Sequence, residues 1–202
     1  MVQAVLALHP EVKVSIRYIE PKPFLRYFQD LLAWSQTGKL QLVYVSLQSG
    51  SQRVLSAMRR GYDIHEVTDA LQTFRSKAST ILYGNWLVGF PGEQEDDFRA
   101  TVELARELNF HINVAIPFSP RPNTPASGMA SQVEASVLAS RVDVLNDAAA
   151  DLKVELMRPH MEVLDPVRRE AVLDLIRKAE RQQYAMPSSP VRAAIPLVLK
   201  NA

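Results

Sequence analysis

The chain has 202 residues, 47% of them hydrophobic and 22% charged, with 23 Lys and Arg against 22 Asp and Glu and a formal net charge of +1. This length and apolar content are enough for one domain with a sizeable core, or one domain plus an appendage, and exclude disorder for most of the chain. The near-neutral balance makes no general case for a nucleic-acid surface, and the absence of cysteine excludes disulfides, thiolate zinc, thiol nucleophiles and a cysteine-held iron–sulfur cluster within these residues.

The apolar stretch after Met1 is too short to span a bilayer and lacks a basic flank and a small-residue cleavage site, so it reads as a helix end of a cytoplasmic protein with no membrane contact. Val12 to Ile19 is rich in β-branched and aromatic residues and stops at Glu20-Pro21-Lys22-Pro23, a strand followed by a turn. Phe24, Phe28, Leu31 and Leu32 then recur at helical spacing, with Gly38 as the stop. A second strand, Leu40 to Leu47, runs into Gln48-Ser49-Gly50-Ser51, where Ser51 is placed to cap a short helix carrying Val54, Leu55 and Met58. Asp63 with Glu66 is a capping-box signature for a helix burying Val67, Leu71 and Phe74.

The third strand, Thr80 to Val88, breaks at Gly89-Phe90-Pro91-Gly92. Glu93, Glu95, Asp96 and Asp97 follow, where they complement the N-terminal dipole of a helix whose buried face is Phe98, Val102, Ala105 and Leu108. Ile112 to Phe118 is a fourth strand. Ser131 and Glu134 form another capping-box signature, opening a long helix with Val133, Val137, Leu138, Val142, Leu145 and Leu152 on its apolar side. Asp165-Pro166 starts a last helix to about Tyr184, and a proline-containing tail from Pro187 wraps or frays. The order is βα repeated, then extra helix, which implies an α/β fold with a parallel sheet, open or curved toward a barrel.

In such folds ligands bind where the strand-to-helix loops gather at the carboxyl ends of the strands. That rule collects Tyr18 to Pro21, Gln48 to Ser51, Gly89 to Glu93 and Ser119 to Pro122, all rich in Gly, Pro and hydrogen-bonding side chains. Each segment taken alone is equally explained as turn chemistry. The four histidines, His9, His65, His111 and His160, show no ligand spacing and read as structural or exposed, and no metal ligands are identified.

Three runs together carry a resemblance: LQSGSQRVLSAMRRGY (Leu47 to Tyr62), WLVGFPGEQEDDF (Trp86 to Phe98) and PFSPRPNTPA (Pro117 to Ala126). In this order and spacing they resemble the second half of a radical S-adenosylmethionine enzyme, nearest the methylthiotransferases that modify tRNA or a ribosomal protein. The resemblance implies a partial (β/α) barrel, here about four βα units with C-terminal helices, divided as a half barrel over 1–157 and a helical extension and tail over 158–202. It implies S-adenosylmethionine as cofactor. Arg60 matches the arginine that pairs with the methionyl carboxylate, a task for a guanidinium fork, with a solvated basic run beside Arg59 as the alternative. Gln48 and Asn85 match strand-end positions that bond the ribose hydroxyls, with Asn85 standing where aspartate is common. Ser49 lies in the same loop, Gly89 and Gly92 let backbone approach a flat ring, and the strand ending at Ser119 resembles the one whose main chain reads adenine. Tyr18 stands where relatives carry a small or acidic residue facing the methionyl amine, and Glu20 is the nearest carboxylate.

The resemblance also implies an iron–sulfur cluster on a CxxxCxxC loop, for which this chain has no cysteine. A C-terminal fragment of a longer enzyme, a truncated gene product and a paralogue that discarded catalysis all remain open. The chain also ends without the small RNA-binding β-barrel that methylthiotransferases append, which weakens the tRNA assignment. Besides the enzymatic reading, two others stand: a non-catalytic binding module that dimerises or docks through an exposed strand at Val12 to Ile19, and a different α/β enzyme using Glu20 and Glu93 for acid–base work.

Overall fold

The computed structural model describes residues 11–183, with Ala4 and Leu6 ahead of them. Those two are helical; the rest of the N-terminal stretch and the tail from Pro187 lie outside the described residues. The strands are β1 (Val14–Ile19), β2 (Leu40–Gln48), β3 (Ile81–Val88) and β4 (Ile112–Pro117). They form one sheet in the order β1-β2-β3-β4, with every neighbour parallel. Between them run α1 (Pro21–Arg26), α2 (Phe28–Gln36), α3 (Gln52–Ala57), α4 (Ile64–Lys77) and α5 (Glu95–Leu108). The long α6 (Ala135–Met157) and α7 (Pro166–Gln183) follow β4. The expected α/β architecture of parallel strands alternating with helices is therefore present.

Alternation along the strands divides the chain between two environments. Val43, Val45 and Leu47 of β2 and Leu82, Trp86 and Val88 of β3 enter one core with Phe24, Val67, Leu71 and Phe74 from the first helices. Phe98, Val102 and Leu108 of α5 and Val142 and Leu145 of α6 belong to the same cluster, so the helices cover one face of the sheet. Trp86, fully buried, donates its Nε1–H to Asn113 Oδ1 at 3.1 Å, and Asn113 Nδ2 bonds Phe110 O, so the polar atoms in this core are paired. The residues between them point to the opposite, open face. By register they form layers: Leu42 with Ile81, Tyr44 with Tyr83 and Ile112, Asn85 with Val114, and Leu87 with Ile116.

Two expectations are corrected. The helix read through Phe24 and Leu32 is broken at Tyr27 (φ −104, ψ 18) into α1 and α2. The break lets Phe24 and Phe28 both meet Phe74 edge-on, at centroid distances of 5.6 and 6.1 Å. The capping box at Ser131 and Glu134 does not form: α6 starts at Ala135 with no side-chain cap bond, and Ser131 instead accepts the Gly92 N–H through its carbonyl at 2.7 Å. Of the capping box read at Asp63 and Glu66 the N-cap half is present, Asp63 accepting from His65 and Glu66 N–H, and Asp165 accepts from Val167 and Arg168 N–H.

Gly50 shows how closely the β2 loop lies on α5, since a Cβ there would stand 2.4 Å from Ala100 O and 2.8 Å from Thr101 Cα. Both are backbone atoms of a helix and cannot swing aside. Gly50→Ala is expected to lower unfolding free energy by about 1–3 kcal/mol, the usual cost of overpacking, as read from urea denaturation; a variant as stable as wild type would show that the loop lifts freely from α5.

Candidate functional site

The β2 loop is built around α5. Ser49 is fully buried; its hydroxyl lies 3.2 Å from Thr101 Oγ1 and accepts the Ser51 N–H at 3.1 Å, while Gly50 N–H bonds Thr101 Oγ1 at 3.0 Å. Ser51 caps α3 by accepting from Val54 N–H and donates its hydroxyl to Asp97 Oδ1 at 2.6 Å. α3 closes in a Schellman turn, with Arg60 N–H on Leu55 O and Arg59 N–H on Ser56 O, and Arg59 takes the left-handed conformation at φ +58. This turn aims Arg60. Its guanidinium donates to Glu20, at the end of β1. Tyr62 ties the same turn to the end of β2 by donating to Leu47 O, and burial holds its phenol well above the ordinary range.

The β3 loop is held from two sides. Gly89 N–H donates to Glu93 Oε2 at 2.8 Å, and Arg141 of α6 reaches the same oxygen at 2.9 Å and Glu95 at 3.2 Å. Arg141 and Glu93 are both buried. Desolvation pushes the Glu93 carboxyl above its usual value, against the pull of the Gly89 N–H and Arg141. On the other side Asp97 accepts from Ser51, from Arg53 and, at 2.8 Å, from Gln94 N–H. Burial acts to raise Asp97, but these bonds outweigh it and leave its carboxyl below the ordinary aspartate value. Arg53 also donates to Gly92 O at 2.7 Å, joining the two loops.

Beyond these loops, at the carboxyl ends of β3 and β4, a cleft of about 400 Å³ is lined by Arg60, Leu87, Ile116, Phe118, Ser119 and Arg121, among others. Arg60 and Ser119 thus line one cleft. Asn85 lies on the same face of β3, one residue pair deeper than Leu87. It is buried, and its Oδ1 has no hydrogen-bond partner among the described residues. Gln48 ends β2 at φ +73 and is nearly buried. Ser49 is bonded to Thr101 in the β2 loop, and the space a Cβ would need at Gly89 (φ +81) is filled by Leu138 Cδ1 at 2.5 Å. Glu20 pairs with Arg60, and Tyr18 lies on the exposed edge strand.

Sequence reasoning missed Arg53, Asp97 as an acceptor hub, and Arg141. Asp97 was legible only as one of four helix-start acids. Arg141 carries no local signal at all, because its partner is 48 residues away. Among the described residues no group of three or more His, Cys, Asp or Glu is placed to hold a metal ion, and no helix is long and apolar enough to cross a membrane. His111 is structural, accepting the Leu82 N–H at 3.0 Å with its pKa lowered by burial.

The radical SAM superfamily pattern matches residues 4–105, half of the chain. The chain belongs to the radical SAM superfamily. Among curated relatives, a tRNA-2-methylthio-N(6)-dimethylallyladenosine synthase of Tropheryma whipplei is 34% identical over 142 residues, covering 67% of this chain and 30% of that protein. The synthase of the same name from Saccharopolyspora erythraea is 35% identical over 157 residues, covering 74% and 32%. These relatives place the chain with the methylthiotransferase-like branch, and it spans about a third of their length. Among solved structures, the radical SAM enzyme coproporphyrinogen III oxidase of Escherichia coli superposes at TM-score 0.56 with 16% identity, covering 75% of this chain and 38% of that one, a likeness of fold.

The superfamily implies S-adenosylmethionine and an iron–sulfur cluster. The cluster does not fit these residues, because its thiolate donors are missing from a chain without cysteine. The groups that S-adenosylmethionine would need are present: Asn85 Oδ1, without a partner among the described residues, can accept from a hydroxyl, and Leu87, two residues on, lines the cleft that carries the Arg60 guanidinium.

Two outcomes follow for the loop clamp. Arg141→Leu leaves Glu93 buried without its cation and is expected to cost about 3–5 kcal/mol in urea unfolding; a loss below about 1 kcal/mol would mean that water reaches Glu93. For Asp97 the depressed pKa means that the unfolded chain takes up the proton first. Its contribution is therefore full above the ordinary value of 3.8 and drains away as pH falls below it. Asp97→Asn should remove that acid limb from a plot of stability against pH, and an unchanged limb would assign the acid sensitivity to other carboxylates.

Proposed function

We propose that this chain contributes the S-adenosylmethionine and substrate contacts of a radical SAM enzyme of the methylthiotransferase-like kind, acting in the cytoplasm on an RNA such as the tRNA named for its relatives. Residues 1–157 would form half of the barrel, and 158–202 the helical extension and tail. The observation that carries the reading is the buried Asn85 oxygen, without a partner among the described residues, two positions before Leu87, which lines one cleft with Arg60. In this reading Arg60 takes the methionyl carboxylate and Glu20, already paired with it, takes the ammonium. Asn85 and Gln48 accept or donate to the ribose hydroxyls. The apolar strand ends at Leu87 and Ile116, with backbone to Ser119, flank the adenine, while Ser49 and Gly89 shape the loops. The residues here would bind and orient S-adenosylmethionine, while its reductive cleavage would need a cluster whose thiolate ligands this chain does not supply.

The cysteine-free composition favours a second reading, a binding module that docks without catalysis through the edge of β1. The two separate on ligand binding. A charged hydrogen bond to a carboxylate contributes roughly 1.5–3 kcal/mol and a neutral one roughly 0.5–1.5. In calorimetric titration with S-adenosylhomocysteine, Arg60→Ala is therefore expected to weaken binding more than Asn85→Ala. No heat from wild type at millimolar ligand would favour the module, and a larger loss in Asn85→Ala would overturn the role of Arg60. Anaerobic reconstitution of the 202-residue chain with iron and sulfide is expected to yield no 5′-deoxyadenosine, and product above a protein-free control would refute the dependence on cysteine.

A further inference from the structure

Arg121 lines the cleft together with Arg60, yet neither the loop bonds nor the cofactor contacts use its guanidinium. Several constraints present it there. Phe118 N–H donates to Val88 O at 2.7 Å, which ties the chain leaving β4 to the end of β3. Pro120 and Pro122 flank Arg121 and restrict the backbone on either side of it. Arg121 O then accepts from the Thr124 N–H at 3.3 Å and from the Thr124 hydroxyl at 2.8 Å, with Asn123 between them in the left-handed region at φ +63. A turn bonded in this way holds the Arg121 backbone in place ahead of any ligand, which lowers the ordering cost of binding. The side chain is exposed and forms no ion pair among the described residues.

Charge decides what the cleft can hold. Two guanidinium groups line it and no carboxylate does, and Glu20, just after β1, pairs with Arg60. An amino-acid zwitterion matches that pair, its carboxylate on Arg60 and its ammonium on Glu20, and leaves Arg121 without an anion. A ligand that also satisfies Arg121 carries a further negative group, and the planar guanidinium fork suits a phosphate. Most of the remaining lining is apolar, with Leu87, Ile116 and Phe118, and Phe118 is held edge-on to Phe90 at a centroid distance of 5.6 Å. Such a lining takes a flat ring. At about 400 Å³ the cleft is in the range of a site for one small ligand, so ring and phosphate belong to one molecule. We propose that this cleft binds a nucleoside phosphate, its base on Leu87, Ile116 and Phe118 and its phosphate on Arg121 and the Ser119 hydroxyl, in competition with S-adenosylmethionine. The nucleotide site stands on the cleft itself; the competition rests on the cofactor reading above, to which it adds a regulation by anionic nucleotides.

The test is calorimetric titration of the 202-residue chain with adenosine 5′-diphosphate, adenosine and inorganic pyrophosphate in magnesium-free buffer. The diphosphate is expected to bind more tightly than either of its parts. Loss of a charged hydrogen bond predicts that Arg121→Ala weakens binding of the diphosphate roughly 10- to 150-fold, while binding of adenosine and of S-adenosylhomocysteine stays within about twofold of wild type. Because Arg121 is exposed, its replacement spares the core, and an unchanged urea midpoint checks this. No heat from the diphosphate at millimolar concentration, adenosine binding as tightly as the diphosphate, or an Arg121→Ala variant as tight as wild type would each overturn the proposal. Pyrophosphate binding as tightly as the diphosphate would overturn it too, by reducing the site to a cation patch that reads no base. Competition is read by repeating the diphosphate titration with S-adenosylhomocysteine present, and an unshifted affinity at saturating analogue would overturn the shared cleft. Binding of the diphosphate with silence toward S-adenosylhomocysteine would support the nucleotide site while the cofactor reading falls.

Discussion

The carboxylate of Asp97 is the junction on which the rim of the sheet depends. A parallel sheet places its strand-to-helix loops side by side with no ladder of their own, so something must fix one loop against the next. Asp97 does this from the first turn of α5, accepting from Ser51 in the β2 loop, from Arg53 in α3 and from the Gln94 N–H in the β3 loop. Ser51 is at once the cap of α3 and a donor to this carboxylate, so the start of that helix and the turn that aims Arg60 are set from the same point. The Ser49, Gly50 and Thr101 bonds press the loop onto α5 below it. An acceptor hub so nearly closed is stabilising because each donor removes part of the cost of burying the charge.

The opposite flank follows the same logic with a more buried pair. Arg141 comes from α6, after the last strand, and returns to hold Glu93, which itself holds the Gly89 N–H. The β3 loop is thereby tied to a helix distant in sequence, and Leu138 of that helix fills the space beside Gly89. A loop held this way resists distortion, because changing it would expose or unpair a buried charge.

Between these flanks the strands divide their labour by alternation. One face carries Val43, Val45, Leu47, Trp86 and Val88 into the helices and supplies stability. The other carries the tyrosine column of Tyr18, Tyr44 and Tyr83, Asn85 and the cleft. A buried carbonyl oxygen without a partner among the described residues, such as Asn85 Oδ1, is costly in a finished core.

Strand identity, their order and the parallel class were legible in the residues, because β-branched runs and capped amphipathic helices are local patterns. So were the caps at Ser51, Asp63 and Asp165 and the loops that hold Arg60 and Ser119. The break at Tyr27 was not legible, since it arises from two rings reaching one distant phenylalanine. Nor was the failure of the Ser131 cap, where the Gly92 N–H takes the Ser131 carbonyl. Sequence alone determined which residues favour strand, helix and turn, and through the absent cysteine it determined that no thiolate cluster is held here. Only the tertiary structure decided that Arg141 meets Glu93, that Ser49 faces Thr101, that Asn85 Oδ1 has no partner among the described residues and that a bulge turns Tyr18 onto Tyr44. These are contacts between segments far apart in the chain, and local propensity carries no information about which distant group will arrive.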